Sequence, residues 1–480
     1  MGISSIGVGS GLDVEGIIKQ LTALEKQPLT TLQTQAATIQ TRISTVAQIK
    51  SQVSALATAA KTLGQASSWT GKTLTSSNET AVKGSVTTSA APTTFDVEVQ
   101  QLAKAQSTAS SAVAANTAMG TGTLTIDLGT WNYSGTPSFT KGAAASVNIT
   151  IGSGEDTLSK IAEKINGANA GVTATVLRDA SGERLLMRSN STGEAQGFRI
   201  QVDEGGVPAD NLDNSGLSRL AFDPANGNFG MAANGYQKAL NTQATINGVA
   251  VSSANSTLAD AVPGVTLEFG AVTTAPVTVK VAADTTTMKK NIQDFMAAYN
   301  SLSKTLTDAT KYDEASKTGG VMQGDSVVVG LQNALRSLLG SSSVGSTFSR
   351  LADIGLDVKR GGLMTLNSSK LDTALKDLGN LQALFTADNT GTANDGFGLK
   401  IQSFADGLLA TGGTVTNKSD ALQNALKSNS KEQDKVNQRA LLMEKRLRAQ
   451  YSALDGQMAG LSSLSSYVSQ QVAAWNKSSS

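Results

Sequence analysis

Neither cysteine nor histidine occurs anywhere in the 480 residues. Their absence removes disulfides, thiolate and imidazole metal ligands, cysteine nucleophiles and the usual general base. Carboxylates, Lys, Tyr and Ser remain, but no cluster of them stands at a catalytic spacing, so neither an enzyme activity nor a cofactor or metal is expected. No sign of charge dominates: 39 Lys and Arg face 38 Asp and Glu, a net charge of +1. Such a balance favours neither nucleic acid nor an anionic membrane as partner. No stretch approaches the ~18 to 20 apolar residues of a membrane span, and the first twenty residues lack the basic start and apolar block of a cleavable signal. Aromatics are only 4% of the chain. With abundant Ser, Thr, Ala, Gly, Gln and Asn, this composition suits long helices with thin apolar seams and polar β-domains. The length accommodates about two to four domains.

After a flexible opening from Met1 to Gly11, apolar residues recur every third or fourth position at Leu29, Leu32, Ala36, Ile39, Ile43, Val46, Ile49, Val53, Leu56, Ala60 and Leu63. This pattern predicts a long helix with a heptad-like seam, irregular only at Ile43, Val46 and Ile49. The far end answers it with Val436, Ala440, Met443, Leu447, Tyr451, Leu454, Met458, Leu461, Leu464, Val468, Val472 and Trp475. The two helices are expected to pack as an antiparallel coiled-coil leg. A two-helix pair buries one face of each, so further apolar surface is left for neighbouring subunits or another protein.

The middle of the chain alternates with period two at Phe95, Val97 and Val99, at Val147, Ile149 and Ile151, at Val172, Ala174 and Val176, and at Val277, Val279 and Val281. These are half-buried strands. Hairpin turns are expected at Asn247-Gly248 and near Ser181-Gly182. The Ser, Ala and Thr run Ser107 to Ala118 and the Gly and Asn stretch Asn226 to Gly235 read as linkers around an inserted domain. Helical spacing returns at Ile292, Phe295, Met296, Tyr299, Leu302 and Leu306, with a short hairpin placing Leu356 and Val358 against Leu363 and Leu366. The expected fold is thus α+β and multidomain: a leader and coiled-coil helix over 1–64, a β head domain from 65–106 plus 236–284, and an inserted β-rich domain over 119–229. A helical stem with a β-hairpin follows over 285–410, then a C-terminal coiled-coil helix over 411–480. Both head domains should be largely antiparallel.

Three chemical motifs fail on context. Ala66-Ser-Ser-Trp-Thr-Gly71-Lys72-Thr73 misses the first Gly of a phosphate loop and leads from helix to strand rather than from strand to helix. Gly7-Val8-Gly9-Ser10-Gly11 lacks the third Gly of a dinucleotide fingerprint and no strand precedes it. Asn211-Leu-Asp213-Asn-Ser215-Gly216 starts like a calcium loop, but Phe222 stands at the twelfth position, where a bidentate Glu is needed.

Taken in order, other residues point to a family. Gly7 to Leu21, GVGSGLDVEGIIKQL, contains Gly11, Leu12 and Asp13 and is followed by Glu25, Pro28 and Leu29. Phe295, Tyr299 and Asn300 stand in a D-F-x-x-x-Y-N helix, ahead of Leu351-Ala-Asp-Ile-Gly355-Leu, Gly362-Leu-Met-Thr-Leu366 and Lys370-Leu371. The closing helix carries Met443, Glu444, Arg446, Tyr451, Ala453, Leu454 and Asp455, then Met458, Leu461, Ser465, Ser466, Tyr467, Gln470 and Gln471. In this order the motifs resemble the FliD family of flagellar filament-capping proteins over both ends and the stem, nearly half of the chain. The β-insertion matches only in style, through Gly122-Thr-Leu-Thr-Ile126 and Ile165-Asn166 before Gly171 to Val176.

The resemblance implies a cap: a ring of identical subunits, a pentamer or similar, at the extracellular tip of the flagellum. There it would retain exported flagellin and open a site for each insertion. It further implies contacts with hook-filament junction proteins, a flagellar export chaperone on the C-terminal helix, and type III export without a cleaved signal. Two other readings share some features. A hook-filament junction protein or flagellin would have similar helical termini but not the Asp455 to Gln471 pattern, and a secreted adhesin would bind host glycans through its β-domains.

Overall fold

The computed structural model describes residues 13–478 except 209, 233, 234 and 316. The expected leader, with signature residues Gly11 and Leu12, lies outside the described residues. In chain order the described helices are α1 (Val14–Glu25), α2 (Gln27–Gly64), α3 (Leu158–Gly167), α4 (Thr285–Thr310), α5 (Ser326–Gly340), α6 (Ser368–Ala374), α7 (Leu378–Thr386), α8 (Phe397–Leu409) and α9 (Thr414–Ser478). The chain divides into two units. One joins its two ends, up to Trp69 and from Thr285 onward; the other is Thr70–Asp284. The fold class is therefore α+β with helical termini and antiparallel sheets between them.

In the helical unit the N-terminal segment is two helices rather than one. Pro28 has no amide hydrogen and its ring crowds the carbonyl four residues back, so the helix restarts after Lys26. The polar face of α2 supports itself locally: the hydroxyls of Thr34, Thr38, Thr41, Ser44 and Thr45 each donate to the carbonyl four residues earlier. Its apolar face is deeply covered, with Val46, Ile49, Val53, Leu56, Ala60 and Leu63 all at most 2% exposed. The covering helices are α4, α8 and α9, so α2 sits in a bundle and not in a simple pair. Helix α4 supplies Met288, Ile292, Phe295, Tyr299, Leu302 and Leu306, all buried at 4-3-4-3-4 spacing. At the far end of α2, Trp69 stacks on Phe385 with ring centroids 5.4 Å apart and donates its indole N–H to the Leu63 carbonyl at 2.8 Å.

The second unit contains two β cores. In the first, a five-stranded antiparallel sheet runs in the order Lys72–Ser76, Val277–Ala283, Thr93–Gln101, Thr242–Ile246, Val249–Ser253. A three-stranded sheet (Thr257–Val262, Val265–Phe269, Val82–Val86) shares its core through Val82, Phe95, Val97, Leu267 and Val279. Asn247 and Gly248 make the two-residue hairpin turn at φ 49° and 82°, positive values that this turn type requires at both positions. In the second core, Gly122–Asn132 pairs with Ser138–Lys141, Val147–Ile151 and Gly197–Asp203. Another sheet, Tyr236–Gln237, Ser107–Ala109, Gly182–Ser189, Val172–Asp179, joins α3 around Phe198, Phe222, Ile161 and Leu185.

Both segments read as linkers belong to this second core. Ser107–Ala109 is a paired strand and Val113 is buried, while Asn228 is 2% and Met231 0% exposed. Polar side chains in and beside these segments bond backbone groups: Ser110 accepts the Leu185 N–H and Asn228 donates to the Asn211 carbonyl. Buried Gln106 donates its amide to the Phe198 carbonyl at 2.8 Å and accepts the Phe198 N–H at 3.0 Å, as a neighbouring strand would. Tyr236–Gln237, read as the return of the first head domain, pairs with Ser107 and Thr108, and the Tyr236 ring packs on Phe222 at 5.1 Å.

Leu56 sits at the centre of the α2 interface, where truncation leaves a cavity the bundle cannot close. Leu56→Ala should lower the urea-unfolding stability of the helical unit by about 2–5 kcal/mol. Gln40→Ala on the exposed face should stay within about 0.5 kcal/mol.

Candidate assembly surface on the terminal helices

The signature residues of the stem fasten a hairpin to α4. The hairpin pairs Leu356–Val358 with Met364–Leu366. Asn300 donates its amide to the Met364 carbonyl at 2.9 Å and accepts the Met364 N–H at 2.6 Å, while Tyr299 and Ser303 both donate to the Gly362 carbonyl, at 2.7 and 2.8 Å. Burial pushes the Tyr299 phenol up, so it stays a donor. Gly355 turns the chain into this hairpin at φ 91°, and a Cβ there would lie 2.6 Å from the Asn367 carbonyl oxygen. These family-like positions are therefore packing and turn residues. They make the stem rigid.

The two ends of the chain meet antiparallel. Asp13 caps α1 by accepting the Gly16 N–H at 2.9 Å, and Pro28 falls in the first turn of α2. Glu15 takes a bidentate pair of hydrogen bonds from Arg448, at 2.9 and 2.7 Å, and Glu25 pairs with Arg439 at 3.4 Å. Acids advancing along α1 thus meet bases retreating along α9. Arg448 is also braced by Glu444 on its own helix at 3.0 Å. Its hydrogen bonds hold the Glu15 carboxyl below the usual 4.5, and the two acids push the guanidinium further up. Deeper in the unit, Lys418 of α9 pairs with Asp325, which caps α5 by accepting the Val327 and Val328 N–H groups. Burial alone would raise the Asp325 pKa; the Lys418 pair and the cap bonds outweigh it and leave the carboxyl lowered.

Burial along α9 is lost toward its C-terminus. Val436 and Ala440 are buried; Met443, Leu447 and Tyr451 are half-buried. Beyond them Leu454 is 41%, Met458 39%, Leu461 60%, Val468 51% and Trp475 79% exposed. The apolar residues keep the same face past the point where α1 begins at Val14, opposite Arg448. On α2, Val46, Val53 and Leu56 are buried, whereas Leu32, Ile39 and Ile43 are half-buried. Asp455 is also half-buried. The structure thus divides the predicted seam residues into a packed set and an exposed stripe on the last ~40 Å of α9, at ~1.5 Å per residue. Sequence reading missed α1 and its ionic clasp, although Asp13 at an N-cap and Glu444 four residues before Arg448 were visible signals.

Residues 239–463 match the flagellar hook-associated protein 2 C-terminus family, residues 10–106 its N-terminus family, and residues 132–191 the flagellin hook IN motif. The chain is 32% identical to the B-type flagellar hook-associated protein 2 of Pseudomonas aeruginosa, over 80% of this chain and 79% of that protein. It is 30% identical to flagellar hook-associated protein 2 of Escherichia coli K12, over 98% of each. The chain belongs to the flagellar hook-associated protein 2 family. Within that family, a solved structure described as the D1-D2-D3 domains of the Escherichia coli flagellar cap protein FliD shares its fold. It has a TM-score of 0.52 and 28% identity, and covers 79% of this chain and 99% of that one. The hook IN motif falls in the second β core, on the strands 138–141, 147–151, 172–179 and 182–189 with α3.

Two outcomes follow for this flagellar hook-associated protein 2 relative. Asn300→Ala leaves both Met364 backbone groups without their partner, so amide exchange at Met364 should accelerate and stability should fall by about 1–3 kcal/mol. The Glu15 carboxyl has a lowered folded pKa, so its contribution is complete above 4.5 and disappears as pH falls through the lowered value. Hydrogen exchange of α1 should therefore quicken in acid at a pH below 4.5 in the wild type, and Arg448→Ala should remove that pH dependence.

Proposed function

We propose that the chain caps the distal tip of a bacterial flagellar filament as a ring of identical subunits, a pentamer or similar. The observation that carries this reading is the exposed apolar stripe of α9, continuous with a seam that is buried nearer the stem. A solitary protein gains nothing from Leu454, Met458, Leu461 and Val468 in water, whereas a subunit that docks on others buries them on assembly. The similarity to the Escherichia coli flagellar cap protein supports the location. On this reading flagellin is held and inserted below the ring, hook-filament junction proteins support the first cap, and an export chaperone covers α9 before secretion through the type III channel. The 119–229 region is read as an inserted head domain. The role is one of assembly, without catalysis.

Leu461 separates docking from folding, because it is already exposed in the single chain. Leu461→Asp should change monomer stability by no more than about 0.5 kcal/mol. Cells carrying it should export the variant yet shed unpolymerised flagellin and build short or absent filaments. Ile43→Asp, half-buried on α2, should impair both monomer stability and filament growth. Full-length filaments with Leu461→Asp would overturn the assigned role of the stripe.

A further inference from the structure

Lys400, in the first turn of α8, is a buried cation that no described carboxylate pairs with; the residue is only 4% exposed. An ammonium group has three N–H donors. Two of them reach neutral oxygens, the Ser341 hydroxyl at 3.3 Å and the Ser342 carbonyl, and the group stands 5.1 Å from the centre of the Phe397 ring. The third has no acceptor among the described residues. Burial holds the Lys400 pKa below 10.5, and the more distant Asp395, which accepts the Asn389 N–H, acts against that shift. The position adds to the imbalance, because a cation in the first turn of a helix meets the positive end of its dipole. A buried charge in this state is unfavourable, and a counter-charge relieves it. Lys400 also lines a cleft of about 540 Å³ between α5 and α8. Ser337 and Leu338 of α5 face it, as do Ser403 and Phe404 of α8 and Thr392 from the preceding turn. The lining contains no carboxylate, and the hydroxyls of Ser337, Thr392 and Ser403 make no hydrogen bond to described residues.

We infer that this cleft binds a carboxylate carried on a short apolar stem, with Lys400 as its counter-charge and the three hydroxyls as hydrogen-bond donors. Every polar side chain of the lining can donate, and an anion is the ligand that accepts from all of them. A single fixed cation balances a monoanion, whereas a phosphate dianion would leave surplus negative charge within the field of Asp395. Leu338 and Phe404 offer apolar surface to the stem, in keeping with pockets where a few polar groups fix the orientation of a ligand held mainly by apolar contact. A free organic acid and a glutamate side chain both present this chemistry. The cleft is separate from the stripe on α9, so the inference stands independently of the cap reading.

Saturation-transfer NMR of butyrate with the full chain, at constant ionic strength, tests the assignment. Butyrate should bind saturably and be displaced by N-acetylglutamate amide, but not by chloride or inorganic phosphate. Lys400→Met, which keeps the length of the stem and removes the charge, should weaken binding at least tenfold. Ser403→Ala, at an exposed helix position, should weaken it at least threefold with an unchanged circular dichroism spectrum. Lys435→Met, an exposed lysine of α9, should have no effect. If Lys400→Met does not fold, the double variant Ser337→Ala with Ser403→Ala carries the test, because both side chains are exposed. Tighter binding of butyrate supports the site with a free organic acid as its ligand, and tighter binding of the blocked glutamate supports it with a side-chain carboxylate. The proposal is overturned by absence of saturable butyrate binding, by equal displacement with phosphate or chloride, or by unaltered affinity in folded Lys400→Met or in the double serine variant.

Discussion

The helical unit depends on one contact: the apolar face of α2 must be covered at once by α4, α8 and α9. Those partners come from sequence hundreds of residues away, so the beginning and the end of the chain share a single core. From Val46 to Leu63 the buried positions are all aliphatic, and the packing is close enough that Gly64 and Gly398 meet backbone to backbone; a Cβ on Gly398 would lie 2.5 Å from Gly64. A contact of that kind tolerates little change in volume. The hairpin on α4, the Trp69–Phe385 stack and the α1–α9 ion pairs are all attached to this bundle. The exposed stripe of α9 inherits its direction from it, because a helix held rigidly at one end presents the same face along its length.

Much of this was legible in the sequence, since the 3.5-residue spacing of α2 and α9 and the period-two strands are first-order patterns. The Asn247-Gly248 hairpin and the pairing of Leu356 with Leu366 are equally local. What was not legible follows a common physical cause. Three amide side chains stand in for a missing strand, each satisfying the N–H and C=O of one residue: Gln106 on Phe198, Asn166 on Ala174 and Asn300 on Met364. A polar run such as Ser107 to Ala118 looks like a linker because nothing in its own pattern announces that distant backbone will meet it. Helix α1 was missed for another reason. At 12 residues, cut off by the Pro28 restart, it is too short for its period to stand out, and it is held by the burial of Val14 and Ile18, with ion pairs to α9 at its rim.

The ion pairs differ in kind along the bundle. Lys418–Asp325 is well covered and integrated into a helix cap, whereas Glu15–Arg448 is in contact with solvent. The first is screened little by salt, while the second weakens as ionic strength rises. The outer part of the terminal-helix contact is thus adjustable by its surroundings, and the inner part is not. The residues chosen from sequence for the seam fall on both sides of that division: Val53 and Leu56 inside it, Leu461 and Val468 well beyond it.

In the sheet that begins at Lys72, the first residue of the strand partners Ala283, so the segment Thr70–Asp284 starts and finishes at neighbouring points. This register has a kinetic meaning. A contiguous β unit can close on its own, and once closed it shortens the chain between α2 and α4 from more than two hundred flexible residues to a clip a few ångströms wide. The entropy of bringing α2 to its distant partners grows with the length of free chain that must be looped. A folded insertion therefore acts as a tether: it converts the meeting of α2 with α4 from a high-contact-order search into a nearly local docking of helices.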